Sequence, residues 1–253
     1  MDFSFYQKWR TENLLETDGV IVGADQNQEW LLPWWWEHYR QFNTYPVTFI
    51  DFGLSLSMKE WCEKQGSRIR LLIPDFYILG KEELDTSTSQ TWEKGWGQTF
   101  WDCRNAWFKK PLACLQSPYR RSIWFDLDCE IRCPLNALFH ACEHPSHIAM
   151  VRDLLDPREY NSGVIAFKRG APLIQDWAKD AFLRNGEFRG DQDLLSQLII
   201  EQKIEIQEIP SRYNWSRRAE ENPEALIIHW HGPHGKAIIA HEIQQKNLTS
   251  LYS

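Results

Sequence analysis

Short runs of strand-forming residues alternate with longer stretches of helical pattern along most of this chain. Strands are predicted at 19–25, 45–53, 68–74, 122–128, 147–153, 161–168, 203–210 and 225–230. Helices are predicted between them, at 28–43, 57–65, 101–117, 171–185 and 191–202. Strand and helix repeated at this spacing predict an α/β fold, with a mostly parallel sheet flanked by helices.

The helix predicted at 57–65 carries signals at both of its ends. Ser57 and Glu60 match a capping box, in which each side chain accepts a hydrogen bond from a backbone N–H of the first turn. Gly66 follows the last helical position, where a glycine commonly ends a helix. We expect the helix to start at Ser57 and to end before Gly66.

The chain length and the lack of a linker favour a single domain. Its 253 residues are enough for one large α/β domain, and no internal repeat interrupts them, so we predict one domain over 1–253. The segment 75–98 is polar and rich in glycine, serine and threonine. A connection of that length in a compact domain is usually functional or mobile, and we predict a lid there.

The charge balance argues against two classes of partner. A net charge of −7 gives no general attraction to phosphate backbones, so nucleic-acid binding is not expected. No window approaches the roughly 18 apolar residues of a membrane span. The first residues also lack a signal-peptide pattern, which favours the cytoplasm or an export route without such a peptide.

The six cysteines do not form the pattern of a small disulfide scaffold, and we expect reduced, buried thiols. One cluster has metal-ligating side chains, namely Cys129, Cys133, His140, Cys142, His144 and His147. It lacks a C-x2-C pair and the usual finger spacing, so structural zinc is disfavoured there.

Several predicted strands end in polar residues, which are Asp25, Asp51, the pair Asp126 and Asp128, and His229. In open parallel sheets, ligands bind beyond the carboxyl ends of the strands. Residues i and i+2 of a strand share one face about 7 Å apart, so Asp126 and Asp128 can converge on one hard cation. The alternative is that the two carboxylates merely end a strand and face water.

The segment "SIWFDLDCEI" resembles the D-x-D segment of GT-A-fold glycosyltransferases, particularly the glycogenin-like glycosyltransferase family eight. Three further segments resemble that family in the same order, namely "YNSGVIAFKRG" at 160–170, "GDQDLLS" at 190–196 and "IIHWHGPHGK" at 227–236. A fifth, "NAWFKKPLACL", resembles the region that carries a basic residue upstream of the D-x-D. The resemblance spans roughly residues 19 to 236 and implies a GT-A fold.

The resemblance implies a metal site made of Asp126, Asp128 and His229, with the diphosphate of a nucleotide completing the shell. A mixed carboxylate and imidazole set suits Mn²⁺ better than Ca²⁺, and Mg²⁺ is the alternative ion. Lys236 would contact the diphosphate, and Gly232 would allow close backbone approach. The lysine lies seven residues after His229, whereas the glycogenin spacing is six.

The same resemblance implies residues for the rest of the donor. Ala24, Asp25 and Gln28 would lie near the uracil and the ribose. Either Lys109 or Lys110 would also contact the donor. The two adjacent lysines leave that choice open, and a solvated helix face is the alternative for both.

Four residues would lie near the sugar by the same resemblance. Asn161 and Ser162 would approach the donor sugar, whereas Asp191 and Gln192 would lie near the reacting carbon or the acceptor hydroxyl. Asp191 could instead be only the N-cap of the helix that follows it. The family retains anomeric configuration, and both a double displacement through Asp191 or Gln192 and a front-face attack stay open.

The implied function is therefore a metal-dependent transfer of a sugar from a nucleotide-sugar donor, a UDP-sugar, to an acceptor hydroxyl. The acceptor can be a glycan, a protein or a small molecule. Tryptophans are predicted to form walls of the donor and acceptor sites, namely Trp34, Trp35, Trp36, Trp92, Trp96 and Trp101.

Three other functions fit parts of the sequence. In a haloacid-dehalogenase-type phosphatase Asp126 would be the nucleophile and Asp128 the general acid, but the D-x-D motif would normally open the domain. A tryptophan-rich carbohydrate-binding domain would need no metal. A nucleotidyltransferase would want a basic, glycine-rich loop after the first strand, where this chain has the acidic "GADQNQEW".

Overall fold

The structure, a computed structural model, describes residues 14–73, 78–97 and 100–248, apart from the side chain of Trp96. Its strands are β1 (Asp18–Ala24), β2 (Val47–Asp51), β3 (Ser67–Arg70), β4 (Arg121–Phe125), β5 (Cys129–Ile131), β6 (Ile148–Arg152), β7 (Tyr160–Lys168), β8 (Gln207–Glu208), β9 (Trp215–Ser216) and β10 (Ile227–His229). Its helices are α1 (Leu32–Arg40), α2 (Leu56–Gln65), α3 (Thr86–Trp96), α4 (Phe100–Leu115), α5 (Asn136–Ala141), α6 (Pro172–Leu183), α7 (Asp191–Gln202) and α8 (Gly232–Gln245).

The main sheet has seven strands in the order β3-β2-β1-β4-β7-β6-β8. Strands β1 to β4 pair in parallel, and so do β6 and β8. Strand β7 runs antiparallel to both of its neighbours, β4 and β6. This mostly parallel sheet with helices around it confirms the predicted α/β fold class. It also places the carboxyl ends of β1, β2, β4 and β6 along one edge.

Both faces of the main sheet are covered, which explains why its strands are apolar at nearly every position. In β1, Val20 and Val22 belong to one hydrophobic core and Ile21 belongs to the other. In β4, Ile123 and Trp124 divide between the two cores in the same way. A strand buried on both faces therefore appears in the sequence as a continuous apolar run.

A second sheet of three strands has the order β5-β10-β9. Strand β10 pairs antiparallel with β5, with His229 opposite Cys129, and parallel with β9. The chain passes from β4 of the main sheet to β5 of the small sheet through residues 126–128. The two aspartates of the D-x-D segment therefore lie at the junction of the two sheets.

Two of the tryptophans predicted to line a ligand site are core residues instead. Trp34 and Trp35 are only 1% and 0% exposed, and Trp35 stacks on Tyr39 with ring centroids 5.0 Å apart. Trp35 also packs against Phe125 at the end of β4, with ring centroids 6.2 Å apart, and Trp34 Nε1 donates to Glu242 at 2.8 Å, so the prediction of a wall at Trp34 and Trp35 is wrong. Trp36 is half-buried and contacts the same core.

Helix α2 starts earlier than the sequence signals suggest. Ser55, with extended backbone, is its N-cap, and its side chain accepts a hydrogen bond from the Met58 N–H at 3.3 Å. Ser57 lies inside the helix, so the predicted capping box is wrong. Gly66 does end the helix, as predicted. A Cβ at Gly66 would lie 2.4 Å from the Val47 carbonyl oxygen, so the glycine is needed for this close approach.

The polar segment predicted as a lid contains a helix. Helix α3 begins after Asp85, whose carboxylate accepts a hydrogen bond from the Thr88 N–H at 2.9 Å. This helix was not predicted because its sequence is rich in serine, threonine and glycine, which are weak helix formers. Residues 75–77 and 98 of the predicted lid lie outside the described residues.

Three further features concern the chain as a whole. In the described ranges, no helix combines the length and the apolar character that a bilayer crossing requires. All six cysteines are free thiols, and five of them are buried. The prediction of one domain over 1–253 extends beyond the described residues and stays a prediction.

Candidate functional site

The D-x-D segment forms a turn rather than the end of a strand. Strand β4 ends at Phe125, and the next N–H, that of Asp126, donates to the Gly163 carbonyl at 2.8 Å. The Cys129 N–H then donates to the Asp126 carbonyl at 3.0 Å and closes the turn. The strand predicted through residue 128 is therefore too long, and the two carboxylates reach one region through the turn.

The register of the small sheet brings His229 to this turn. His229 lies opposite Cys129, and the Trp230 N–H donates to the Asp128 carbonyl at 2.8 Å. His229 Nε2 lies 3.2 Å from Asp128 Oδ1 and 3.9 Å from Asp126 Oδ2. The structure thus places both predicted aspartate ligands near Nε2 of the predicted histidine ligand.

This cluster attracts positive charge. Burial disfavours the charged form of both Asp128 and His229, but their mutual attraction and hydrogen bond outweigh burial. The pKa of Asp128 is consequently far below its ordinary value, and the pKa of His229 is above its ordinary value. The two carboxylates of the turn therefore favour a cation in this position.

A chain of side-chain amides orients His229. Its Nδ1 lies 3.1 Å from Asn214 Oδ1, and the Asn214 amide donates to Asn161 Oδ1 at 2.7 Å. The Asn161 amide in turn donates to Asp153 Oδ2 at 2.8 Å. An acceptor at Nδ1 keeps a proton there, so Nε2 is the nitrogen that donates to Asp128 in the charged imidazole and that would face a cation once its own proton is lost.

Sequence analysis missed two members of this chain. Asp153 follows β6 at the same edge as Asp126, so its position after a predicted strand could have identified it. Asn214 is 3% exposed and carries no local pattern that distinguishes it from a loop asparagine. Asn161 was predicted near the donor sugar, and the structure shows both ends of its amide engaged within the chain.

Gly163 allows the close approach of β7 to His229. A Cβ at this position would lie 2.3 Å from His229 Cε1 and 2.6 Å from His229 Nδ1. No side chain fits in that space, since real Cβ contacts are longer. The glycine of the asparagine-serine-glycine segment therefore determines where the imidazole can lie.

The structure distinguishes between the two adjacent lysines. Lys110 Nζ lies 3.0 Å from Asp126 Oδ1, from Asp191 Oδ2 and from Ser162 Oγ. Burial disfavours its charge, but the two carboxylates outweigh burial and raise its pKa. Lys109 points elsewhere, and its Nζ donates to the Phe52 carbonyl at 3.3 Å. Of the two lysines, Lys110 joins the cluster.

Asp191 is the first residue of α7, and the N-cap is Gly190. The interpretation of Asp191 as a mere N-cap is therefore wrong. Its Oδ2 accepts a hydrogen bond from Ser162 Oγ at 2.9 Å in addition to the contact with Lys110. Burial raises its pKa above the ordinary value, and the charge of Lys110 opposes part of that shift.

Gln192 lies beside Asp191 with both ends of its amide engaged. Its Oε1 accepts from the Ser162 N–H at 3.1 Å, and its Nε2 donates to Glu159 at 3.0 Å and to Asp153 at 3.3 Å. The structure therefore brings together the residues predicted near the sugar, namely Asn161, Ser162, Asp191 and Gln192.

The residues predicted near the uracil and ribose follow β1. Ala24 is buried at the end of the strand. Asp25 Oδ1 accepts the N–H groups of Asn27 at 3.0 Å and Gln28 at 3.1 Å, which turns the chain towards α1. The side chain of Asp25 thus stabilises this turn.

The charges of three predicted ligand-binding residues affect the pKa of the half-buried Cys103 thiol. Burial raises its pKa, the charge of Lys236 lowers it, and the charges of Asp25 and Asp128 raise it.

The start of α8 carries more positive charge than the sequence analysis expected. Gly232 has a φ of +81°, which favours glycine, and a Cβ there would lie 3.3 Å from Arg218 Nη2 and 3.6 Å from Arg217 Nη2. Lys236 lies in the second turn of the same helix. The pair Arg217 and Arg218 was missed, although adjacent arginines shortly before the H-x-x-G segment are a visible signal.

Asp51, the remaining polar strand end, is occupied by structural contacts. Its Oδ1 accepts the N–H groups of Gly53 at 2.9 Å and Leu54 at 2.7 Å. Its Oδ2 lies 3.1 Å from Arg68 Nη1. Asp51 therefore belongs to a turn on the far side of β1 and not to the cluster around His229.

The cluster fits a divalent cation. Among the described residues, the ligand atoms of Asp128, Cys129 and His229 lie within 4.8 Å of one another. Burial and the neighbouring carboxylates raise the pKa of Cys129, and its thiol lies 3.6 Å from the Gly163 carbonyl oxygen, to which it donates. Asp126 Oδ2 lies 3.9 Å from His229 Nε2 but does not belong to the group whose ligand atoms all lie within 4.8 Å of one another. His140, Cys142, His144 and His147 do not join this group.

No protein-family model matches this sequence, and no curated protein matches it either. Solved structures do match in three dimensions. The galactosyltransferase LgtC, in complex with donor and acceptor sugar analogues, aligns over 93% of this chain and 95% of its own, with a TM-score of 0.54 and 15% identity.

Two larger proteins match as well. The glycosyltransferase GlyE of Streptococcus pneumoniae TIGR4 aligns over 92% of this chain and 64% of its own, with a TM-score of 0.58 and 13% identity. The bifunctional glycosyltransferase WbbM aligns over 88% of this chain and 48% of its own, with a TM-score of 0.57 and 13% identity. At these identities the likeness shows the fold, which is the GT-A fold predicted from the sequence.

Proposed function

We propose that this protein is a metal-dependent glycosyltransferase that moves a sugar from a nucleotide-sugar donor, a UDP-sugar, to an acceptor hydroxyl. The observation that carries the proposal is the meeting of Asp126, Asp128 and His229 at the carboxyl-end edge of a GT-A sheet, with His229 Nε2 only 3.2 Å from Asp128. Ligands of open α/β sheets bind at this edge.

The three residues would hold Mn²⁺ or Mg²⁺, which stabilises the negative charge that develops on a departing diphosphate. Lys236, Arg217 and Arg218 extend the positive charge along the start of α8. The N-terminus of a helix itself favours an anion, and Gly232 leaves room for one beside the backbone. These groups would bind the diphosphate from the side opposite Asp126.

Ala24, Asp25 and Gln28 would contact the uracil and ribose. The acceptor is a hydroxyl of a glycan, a protein or a small molecule. Trp101, half-buried on α4, is the described tryptophan that could still contact it.

Lys110 would hold Asp126 and Asp191 in place, and its charge favours the ionised form of Asp191. We infer that Gln192 orients the donor sugar rather than attacking it, because its Oε1 already accepts the Ser162 N–H. Transfer with retention would then proceed either by front-face attack or by a double displacement through Asp191. One of the matching structures is an LgtC variant with an active-site glutamine replaced by glutamate, which makes Gln192 a position of interest.

The proposal is tested by thermal unfolding with UDP, with and without Mn²⁺. A ligand at about 100 times its Kd stabilises the folded state by about 2.7 kcal/mol, a shift that is readily measured. We expect UDP to stabilise the wild-type protein only when Mn²⁺ is present, and Asp128→Asn to abolish the shift. Glu60→Gln, which removes an exposed charge on α2, should respond as the wild type does.

An equal response to UDP in Asp128→Asn and the wild type would contradict the proposal. The phosphatase alternative has its own assay. Turnover of a generic phosphatase substrate that disappears in Asp126→Asn would favour that enzyme class instead. Sugar binding that persists unchanged in a chelator, without nucleotide, would favour a carbohydrate-binding domain.

A further inference from the structure

A second cavity opens beyond β2 and β3, with a volume of about 540 Å³. Four cationic side chains line it, Lys59, Arg68, Arg70 and Lys109, and one carboxylate, Asp51. Small-molecule sites commonly have volumes of about 300–1,000 Å³, so the cavity is large enough for a metabolite. Such a concentration of positive charge stands out in a chain with a net charge of −7.

The carboxylate of Asp51 already forms contacts within the protein. The oxygen Oδ1 of Asp51 accepts two backbone N–H groups, and Oδ2 lies 3.1 Å from Arg68 and 3.7 Å from Lys59. Glu63, outside the cavity, forms a further ion pair with Arg68. Internal pairing therefore satisfies Arg68 and part of Lys59 only.

Lys109 and Arg70 are left without a carboxylate partner. Lys109 Nζ has a carbonyl acceptor at 3.3 Å, and burial lowers its pKa against a weaker opposing effect of Asp25. Arg70, exposed at the end of β3, has no carboxylate within ion-pair distance in the described part of the chain. An anion in the cavity would supply the missing partner of both cations.

The cavity is separate from the cluster around His229. The rings of Phe52 and Trp124 stack with centroids 6.5 Å apart and planes 12° apart. Lys109 Nζ lies 5.9 Å from the Phe52 ring, and Lys110 Nζ lies 5.9 Å from the Trp124 ring. The aromatic pair thus lies between the two lysine side chains.

The remaining lining gives the cavity an apolar side, which includes Phe52, Leu71 and Ile73. A guanidinium group binds a phosphate through two parallel hydrogen bonds, and ammonium groups add point charges. A ligand that satisfies this lining carries a phosphate group at one end and an organic part at the other.

We propose that this cavity binds the phosphate group of a small phosphorylated molecule, at a site distinct from the one that takes the donor. The proposal goes beyond the proposed function and does not depend on it. It requires no metal, since the cavity supplies its own positive charge.

Isothermal titration calorimetry with inorganic pyrophosphate tests the proposal, in EDTA so that the metal site cannot contribute. We expect the wild-type protein to bind pyrophosphate, and Arg70→Gln to weaken binding about tenfold, because a charge-assisted bidentate contact is lost. Lys64→Gln is the matched control, since Lys64 is exposed on the same helix as Lys59 and does not line the cavity.

Three results would overturn the proposal. They are no binding of millimolar pyrophosphate by the wild type, equal affinity in Arg70→Gln, and equal weakening in Lys64→Gln. A fourth arm repeats the titration with saturating UDP and Mn²⁺, where unchanged pyrophosphate affinity supports separate sites and competition overturns them. Asp128→Asn should still bind pyrophosphate in EDTA, so failure of the donor proposal leaves this result unaffected.

Discussion

Two neighbouring lysines of α4 reach regions of opposite character. Lys110 lies among carboxylates, with Asp126 and Asp191 each 3.0 Å from its Nζ. Lys109 lies on the other side of the Phe52–Trp124 pair and contacts a carbonyl oxygen. Successive residues of a helix point about 100° apart, so one residue step is enough to send equal charges to different sites.

The difference between the two lysines separates a charge that holds the protein together from a charge that is available to a ligand. A buried ammonium is tolerated when carboxylates surround it, and removing one partner of a buried pair leaves an uncompensated charge. Replacing a lysine whose ammonium group has only a carbonyl partner should cost little stability. Such an ammonium group is also available to an anion. The following substitutions test that distinction.

The largest effect on stability is expected from Lys110→Met. This change leaves the buried Asp191 and the partly exposed Asp126 without their cation, and the free energy of unfolding should fall by about 3–5 kcal/mol. Lys109→Met, the matched change one residue earlier, should alter it by less than about 1 kcal/mol. Urea unfolding of both variants in EDTA measures the two values, and equal losses would refute the distinction between the lysines.

A smaller effect is expected from Asn214→Ala, which removes the acceptor at His229 Nδ1. Loss of such an outer partner weakens metal affinity by about 10–100-fold, because the imidazole is no longer held in its binding tautomer. Titration with Mn²⁺ measures the change, and pyrophosphate binding in the basic cavity should be unaffected. Asn222→Ala, at an exposed turn, is the control. Unchanged Mn²⁺ affinity in Asn214→Ala would rule out the orienting role.

The smallest effect is expected at the opposite edge of the main sheet, where Asp18 pairs with Arg121 at the starts of β1 and β4. The hydrogen bond from Arg121, opposed by burial, lowers the pKa of Asp18 below its model-compound value of 3.8. The pair therefore stabilises the fold fully above pH 3.8, and this contribution is lost as the pH falls through the lower folded-state pKa.

Asp18→Asn should thus reduce the free energy of unfolding by about 1 kcal/mol or less at pH 7, as expected for a partly exposed ion pair. Urea unfolding at pH 7 and near pH 3 measures the difference, which should shrink at the lower pH. A difference that grows with acidification would show that the sign of the Asp18 shift is wrong.

Much of the fold could be predicted because the residue patterns that specify its strands lie within short segments of the sequence. The strands of the main sheet are buried on both faces, so their apolar runs are visible without knowledge of their neighbours. Helix α8 was missed because glycine and proline open it, and these residues usually signal turns. The cap of α2 was misplaced by two residues because Ser55 and Ser57 both have the side chain that a cap requires.

The site could be predicted only as far as its motifs carried chemistry. Asp126, Asp128 and His229 lie at the ends of predicted strands, and the family resemblance implied that they form a metal site. The choice of Lys110 over Lys109 depends on the rotation of α4, which no pattern in the sequence specifies. Asn214 and Asp153 were missed because their role arises from contacts across the two sheets.

The turn at residues 126–128 connects the main sheet to the small sheet. Asp126 follows the main sheet, whereas His229 belongs to a small sheet whose strands are only two or three residues long. Short strands open at a low cost in free energy, independently of a larger sheet. Opening of the small sheet alone would carry His229 away from the aspartates and leave the main sheet intact. A cation held by the cluster would therefore stabilise the closed small sheet, and closure of the small sheet would in turn strengthen cation binding.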